Sequence, residues 1–171
     1  MQTLFLMLGL PGAGKTTAAS EIAKQTHAVH ISSDDERRKL FKKSNFTQDE
    51  HTELYQHIEK NVEKLLSEGK SVIYDANLNR LEHRIEKYTL ASKFNLKTIL
   101  IWVQTPKELA KKRRVQHEPQ PDLTPQDESP ESMFDRIAGV FEAPLPANEE
   151  FVIIDGQHVN AESIRVMLSH I

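Results

Sequence analysis

Gly9-Leu10-Pro11-Gly12-Ala13-Gly14-Lys15-Thr16 constrains this chain more than any other stretch, because it fills every fixed position of the pattern G-x-x-x-x-G-K-[ST]. The run before it, Thr3 to Leu8, is apolar and of strand length. The run after it places Ala19, Ile22, Ala23 and His27 at helical spacing, so the context reads strand, loop, helix. Three of the six glycines fall in this loop, where a missing side chain lets the backbone close around phosphate oxygens. The free N–H groups that open the helix, with the helix dipole behind them, then face the anion. The pattern therefore predicts a nucleoside triphosphate held by Gly9, Pro11, Gly12, Ala13, Gly14, Lys15, Thr16 and Thr17. Lys15 is expected to reach the β and γ phosphates. Thr16 is expected to offer its hydroxyl to Mg²⁺, a cation that takes few protein ligands and keeps several waters.

A length of 171 residues suits one domain spanning the whole chain. Cysteine is absent, which removes disulfides, thiol nucleophiles and thiolate metal sites. The N-terminus MQTLFLMLGLPG lacks the basic region of a signal peptide, and no apolar run approaches a membrane span. A cytoplasmic protein without a membrane partner is the expectation. The net charge of −3 hides an asymmetry: 20 basic against 14 acidic residues up to position 117, and 2 against 11 after it. The basic part suits a phosphorylated substrate, whereas the overall acidity argues against wrapping a long duplex.

Residues 28–31 (AVHI) form a short strand candidate, followed by Ser32-Ser33-Asp34-Asp35-Glu36-Arg37-Arg38-Lys39. Two readings coexist there. Ser32 or Ser33 capping a helix with acids in its first turn is what the dipole favours. Alternatively, Asp34 and Arg37, three apart on one helix face beside the phosphate site, orient or deprotonate a hydroxyl and hold an acceptor anion. Thr47-Gln48-Asp49-Glu50 reads as a capping box opening a long helix, whose apolar stripe is Leu54, Ile58, Val62, Leu65 and Leu66. His51, Tyr55 and His57 fall on its flank or surface. Val72 to Tyr74 is a buried strand candidate ending in Asp75, which either holds a magnesium-bound water or faces the acceptor, and Asn77 in the following turn either bonds substrate or shapes the turn. A helix from Arg80 to Phe94 then has Leu81, Ile85, Leu90 and Phe94 for its buried side, with Arg84 either a surface residue or a ligand.

Residues 96–103 (LKTILIWV) are the most strand-like run, with Trp102 expected in the core. Thr105-Pro106-Lys107-Glu108 reads as a second capping box, before a helix carrying Lys111, Lys112, Arg113 and Arg114. These cations form either a solvated face or a lid that closes on phosphates, in which case Arg113, then Arg114, are favoured. Residues 118–130 carry four of the eight prolines and four acids and read as a loop. A further helix with Arg136, a last strand at 151–154 and a helix capped by Asn160 complete the chain. Strands alternating with helices predict a three-layer α/β fold with a five-stranded, mainly parallel sheet, its site at the carboxyl edge of the strands and a small helical lid over about 105–141.

GLPGAGKTT, then SSDDERR, then VIYDANLNRLEHR, then a cationic helix, taken in that order, resemble the P-loop kinases related to 5′-hydroxyl polynucleotide kinases and zeta toxins, within the AAA-domain family of kinases. The resemblance implies ATP as phosphoryl donor, a hydroxyl-bearing acceptor and a lid with arginines. It makes Asp34 the general base and Arg37 the contact to the acceptor phosphate, aligns Asp75 and Asn77 with the strand-end pair, and sets Gly156 beside the nucleotide base. The lid KKRRVQH lacks the family's R-x-x-x-R spacing, and the following region is acidic. The leading acceptor on this reading is the 5′ end of DNA or RNA. A nucleoside, nucleotide-sugar or other small alcohol is the alternative, and a regulatory NTPase is the reading from another class.

Overall fold

The computed structural model describes residues 1–116 and 128–171, so most of the proline-rich stretch expected as a loop lies outside the described residues. Five strands, β1 (Thr3–Leu8), β2 (Val29–Ser32), β3 (Val72–Asp75), β4 (Lys97–Gln104) and β5 (Phe151–Asp155), make one sheet in the order β2-β3-β1-β4-β5. Every neighbouring pair is parallel. The helices of the described residues are α1 (Lys15–Thr26), α2 (Ser33–Leu40), α3 (Gln48–Ser67), α4 (Leu81–Lys93), α5 (Lys107–Gln116), α6 (Pro130–Gly139) and α7 (Ala161–Leu168). This is the P-loop NTPase arrangement that the alternation of elements predicts.

β1 is central and buried on both faces, which is why TLFLML is a continuous apolar run and shows no alternation. Its side chains still divide by a period of two. Leu4, Leu6 and Leu8 join Leu54, Ile58, Val62 and Leu66 of α3 and Leu90 and Ala91 of α4. Phe5 and Met7 face Ala18, Ala19 and Ile22 of α1 and Ile164 and Met167 of α7. Two cores thus clamp the sheet. Because all strands run the same way, Leu8, Ser32, Asp75, Gln104 and Asp155 end at one edge, with Ser32 level with Asp75 and Gln104 level with Asp155.

Several local expectations change in the structure. Ser32 occupies the N-cap of α2, but its side chain makes no capping hydrogen bond. Thr47 accepts from the Glu50 backbone N–H, yet the Glu50 carboxylate accepts from Asn45 and Phe46 N–H and from the Ser44 hydroxyl and leaves the box half formed. Thr105 does not cap α5, because its hydroxyl donates to the Ala13 carbonyl at 2.9 Å. Trp102 is only half-buried, edge-on to Phe151 and tilted against Phe141. The C-terminus of α3 closes as a Schellman turn, Gly69 N–H to Leu66 and Lys70 N–H to Leu65, as the glycine predicts. Asn160 and Ser163 form a complete capping box on α7.

The largest departure is in α4. Ile85 is exposed, while Arg84 and Lys87 turn inward with Leu90 and Ala91. Arg84, 1% exposed, makes a two-pronged ion pair to Glu149 at 2.7 Å and donates to the Leu78 carbonyl at 3.0 Å. Lys87 and the Tyr74 hydroxyl both donate to Glu59. A polar network here replaces the apolar face that the sequence period suggests, and it ties α4 to α3 and to the segment that precedes β5.

Candidate active site

The loop after β1 has the conformation its glycines permit. Gly12 and Gly14 sit at φ of +76° and +103°, where a side chain is strained, and Gly14 is the N-cap of α1. Gly12 is also needed for space: a Cβ there would meet the Ala110 carbonyl oxygen at 2.2 Å, so α5 lies directly against the loop. Ala13 puts its side chain into the α1-side core and leaves its backbone to the loop. Pro11 is half-buried and Thr17 is exposed in the first turn of α1. Lys15 Nζ donates to the carbonyls of Gly9, at 2.9 Å, and Leu10, at 3.1 Å. Burial lowers its pKa, opposed by the negative charges of Asp75 and Asp34, which places both carboxylates within its electrostatic reach.

Thr16 Oγ1 donates to Asp75 Oδ2 at 3.1 Å, joining the loop to the end of β3. His30 Nε2 lies 3.2 Å from the same oxygen. Across the cleft stands Asp34, in the first turn of α2, exposed to solvent and without a hydrogen-bond partner among the described residues. Its carboxyl is pushed above the usual aspartate range. The surrounding protein disfavours its charge first, Asp75 adds repulsion, and Arg38, Lys15 and Arg114 pull the other way. Lys15, Thr16, Asp34 and Asp75 are therefore gathered from three segments, as the parallel topology requires.

The other expected residues lie around that centre. Arg37 is buried, donating to the Ser44 hydroxyl at 3.1 Å and lying 4.8 Å from the Phe46 ring centre. Asn77 is exposed. Its side-chain oxygen accepts from Asn79 N–H, which is the turn-shaping role, while its own N–H donates to the Tyr55 hydroxyl. Arg113 donates to the Gly156 carbonyl at 2.9 Å, whereas Arg114, beside Met133 Sδ, is the lid cation within electrostatic reach of Asp34. Lys111 pairs with Asp135 and Arg136 with Glu128, linking α5 and α6 and the start of α6. Gly156 fits tightly between the loop and β4, where a Cβ would meet both the Ala13 carbonyl oxygen and Thr105 Oγ1 at 2.1 Å.

Three contributors escape sequence reasoning. Thr105 holds the loop from β4, His30 holds Asp75 from β2, and Tyr55 holds Asn77 from α3. His30 carried a usable signal, being a polar residue inside an apolar strand two positions before its end. A cavity of about 530 Å³ lined by Leu10, Trp102, Phe141 and Ile153 is not the phosphate cradle, since neither Lys15, Thr16, Asp34 nor Asp75 lines it. Among the described residues no helix is long and apolar enough to cross a membrane, and no cluster of three His, Asp or Glu groups could hold a metal alone.

Residues 4–144 match the model of a protein family described as AAA domain. No curated protein matches the sequence significantly. Among solved structures, a presumed kinase from Chloroflexus aurantiacus j-10-fl superposes with a TM-score of 0.73 at 15% identity, covering 99% of this chain and 98% of its own. An unliganded sugar kinase from Janibacter sp. HTCC2649 gives 0.67 at 17%, with 99% and 93% covered. A gluconokinase from Sinorhizobium meliloti 1021 gives 0.65 at 16%, with 98% and 90% covered. At such identities the likeness establishes a shared fold alone.

Proposed function

The chain belongs to the AAA domain family, and from that premise we propose that it is a kinase that moves the γ-phosphoryl group of ATP to a hydroxyl of a small molecule. The observation that carries the reading is Asp34: an unpartnered carboxylate with raised pKa, facing Lys15 and the Thr16–Asp75 pair across one cleft. The glycine loop fits a triphosphate, since its N-terminal helix turn and Lys15 offer only donors. The Thr16 hydroxyl and Asp75 carboxylate fit Mg²⁺ bound largely through water. When bound, that ion neutralises charge on the phosphate oxygens.

Lys15 exchanges its two loop carbonyls for phosphate oxygens, and His30 fixes the Asp75 carboxylate from behind. Asp34 accepts the proton of the acceptor hydroxyl as that oxygen bonds to the γ-phosphorus. The bond from phosphorus to the β–γ bridging oxygen breaks in the same displacement, and ADP leaves with its electron pair. Arg114 offsets charge on the transferring group from α5. The raised pKa of Asp34 makes it a stronger base than an ordinary carboxylate.

A small acceptor is favoured over the 5′-hydroxyl of a nucleic acid because two of the structural neighbours bear the names sugar kinase and gluconokinase, and because a chain of net charge −3 is poorly suited to a long polyanion. The test is ADP release from ATP and Mg²⁺ across a panel of sugars, sugar acids, nucleosides and 5′-hydroxyl oligonucleotides, with Asp34→Asn as control. Stimulation by a small alcohol that the variant loses supports the proposal. Stimulation by oligonucleotides alone moves the acceptor to nucleic acid, and turnover indifferent to every acceptor, in wild type and variant alike, returns the regulatory NTPase.

A further inference from the structure

Asp34 has no hydrogen bond of its own among the described residues, so its place in the cleft is set by whatever holds α2. Apolar packing does little of that. Leu40, the last residue, is the only apolar side chain in SDDERRKL, and α2 buries two charged residues, Glu36 and Arg37, instead. Glu36 is 3% exposed and lies two residues after Asp34. Its Oε1 accepts from Lys39 on the same helix, while its Oε2 lies 3.0 Å from His57 Nε2 and accepts from Asn61 Nδ2 at 3.3 Å. His57 and Asn61, four apart, share one face of α3. Burial alone would raise the Glu36 carboxyl, but Lys39 and then His57 outweigh it and hold its pKa below the ordinary glutamate value. Because a carboxylate only accepts, Nε2 of His57 carries the proton between them. Arg37 makes a second link, donating to the Ser44 hydroxyl, which donates at 2.9 Å to Glu50 in the first turn of α3.

Resting on the kinase reading above for what Asp34 does, we infer that Glu36, His57 and Asn61 are positioning residues, which hold α2 against α3 so that Asp34 faces the phosphate loop. They act through the helix. Glu36 sits less than one turn from Asp34, so a shift of Glu36 carries Asp34 with it. Losing a hydrogen bond to a charged group lets the helix leave its place about tenfold more often or more. An Asp34 that leaves the cleft loses the surroundings that raise its pKa, the enclosing protein first and Asp75 second. Proton transfer needs heavy atoms within about 2.6–3.2 Å, so the transfer rate falls when Asp34 moves. The nucleotide, held by the loop and α1, keeps its affinity.

The test compares wild type, His57→Ala, Asn61→Ala, their double variant and His57→Gln in the full chain. Both positions are half-buried, and Glu36 keeps Lys39 in every variant. Carbon-13 NMR of the aspartate carboxyls follows the Asp34 titration, and hydrogen exchange follows the amides of α2 against those of β1. In the double variant Asp34 is expected to titrate closer to an ordinary aspartate than in wild type. Its α2 amides should exchange about tenfold faster or more, with those of β1 changing much less. Affinity for a non-hydrolysable ATP analogue with Mg²⁺ stays near wild type. For any acceptor turned over, kcat falls by about tenfold or more with the KM for ATP unchanged. His57→Gln, whose amide donates in place of the ring, recovers most of what His57→Ala loses. The inference is overturned if the double variant leaves the Asp34 titration and the α2 exchange as in wild type, if His57→Gln is no better than His57→Ala, or if the β1 amides quicken as much as those of α2. A shifted Asp34 titration in a protein that passes no phosphoryl group to any acceptor strikes at the kinase reading and leaves the tether standing.

Discussion

Glu149→Ala is expected to destabilise the fold severely, although it touches neither the loop nor Asp34. Arg84 is 1% exposed and sends two donors to the Glu149 carboxylate at 2.7 Å each, and the Tyr88 hydroxyl donates to it at 2.7 Å as well. Removing the carboxylate strands a buried guanidinium, which costs about 3–5 kcal/mol. Total stability in a domain of this kind is about 5–15 kcal/mol, so the variant sits near the edge of folding. The same guanidinium donates to the Leu78 carbonyl and thereby fixes the turn that carries Asn77. Urea unfolding measures the loss at constant slope, and Arg84→Met combined with Glu149→Leu should recover most of it, because two matched apolar groups leave no charge stranded.

The pH dependence has a definite sign. Burial alone would raise the Glu149 carboxyl, but hydrogen bonds from Arg84 and Tyr88 outweigh it and hold the pKa below the ordinary 4.5. Its contribution is therefore present above about pH 4.5 and is lost as pH falls through the native value. A Glu149→Ala cost under about 1 kcal/mol, the size of a surface pair, or a double variant as weak as the sum of the singles, would refute the argument.

Asp34→Asn should lower phosphoryl transfer by about 10²–10⁴ with nucleotide affinity retained. The acid limb of the wild-type rate profile should lie above the normal aspartate range, because the carboxylate must be ionised and its pKa is raised. Gly156→Ala should cost about 1–3 kcal/mol in stability and weaken ATP binding, since its Cβ would strike the Ala13 carbonyl and Thr105 hydroxyl; calorimetry with an ATP analogue reads both. His30→Ala should raise the Mg²⁺ concentration needed for half-maximal rate by about tenfold or more, the size of one hydrogen bond to a charged carboxylate, with global stability little changed.

The strand-loop-helix start, the alternation of elements and the convergence of Lys15, Thr16, Asp34 and Asp75 were legible because local pattern and topology dictate them together. A phosphate loop followed by a strand-end acid leaves little freedom. The inward face of α4 was not legible, because Arg84 and Lys87 are buried by partners 65 and 28 residues away, Glu149 and Glu59, and no helical period reports such distant carboxylates. Thr105 misled for a related reason. Its capping pattern is genuine as sequence, but the Ala13 carbonyl offers its hydroxyl a tertiary alternative. Helical phase shows which of Lys111, Lys112, Arg113 and Arg114 share a face and not which face meets the cleft.

The most direct test of the account is to follow γ-labelled ATP with Mg²⁺, wild-type protein and the acceptor panel until the label is located. The account predicts label covalently on a small hydroxyl compound, in amounts equal to the ADP formed, and none with Asp34→Asn. Label appearing only as free inorganic phosphate, whatever acceptor is present, would contradict it.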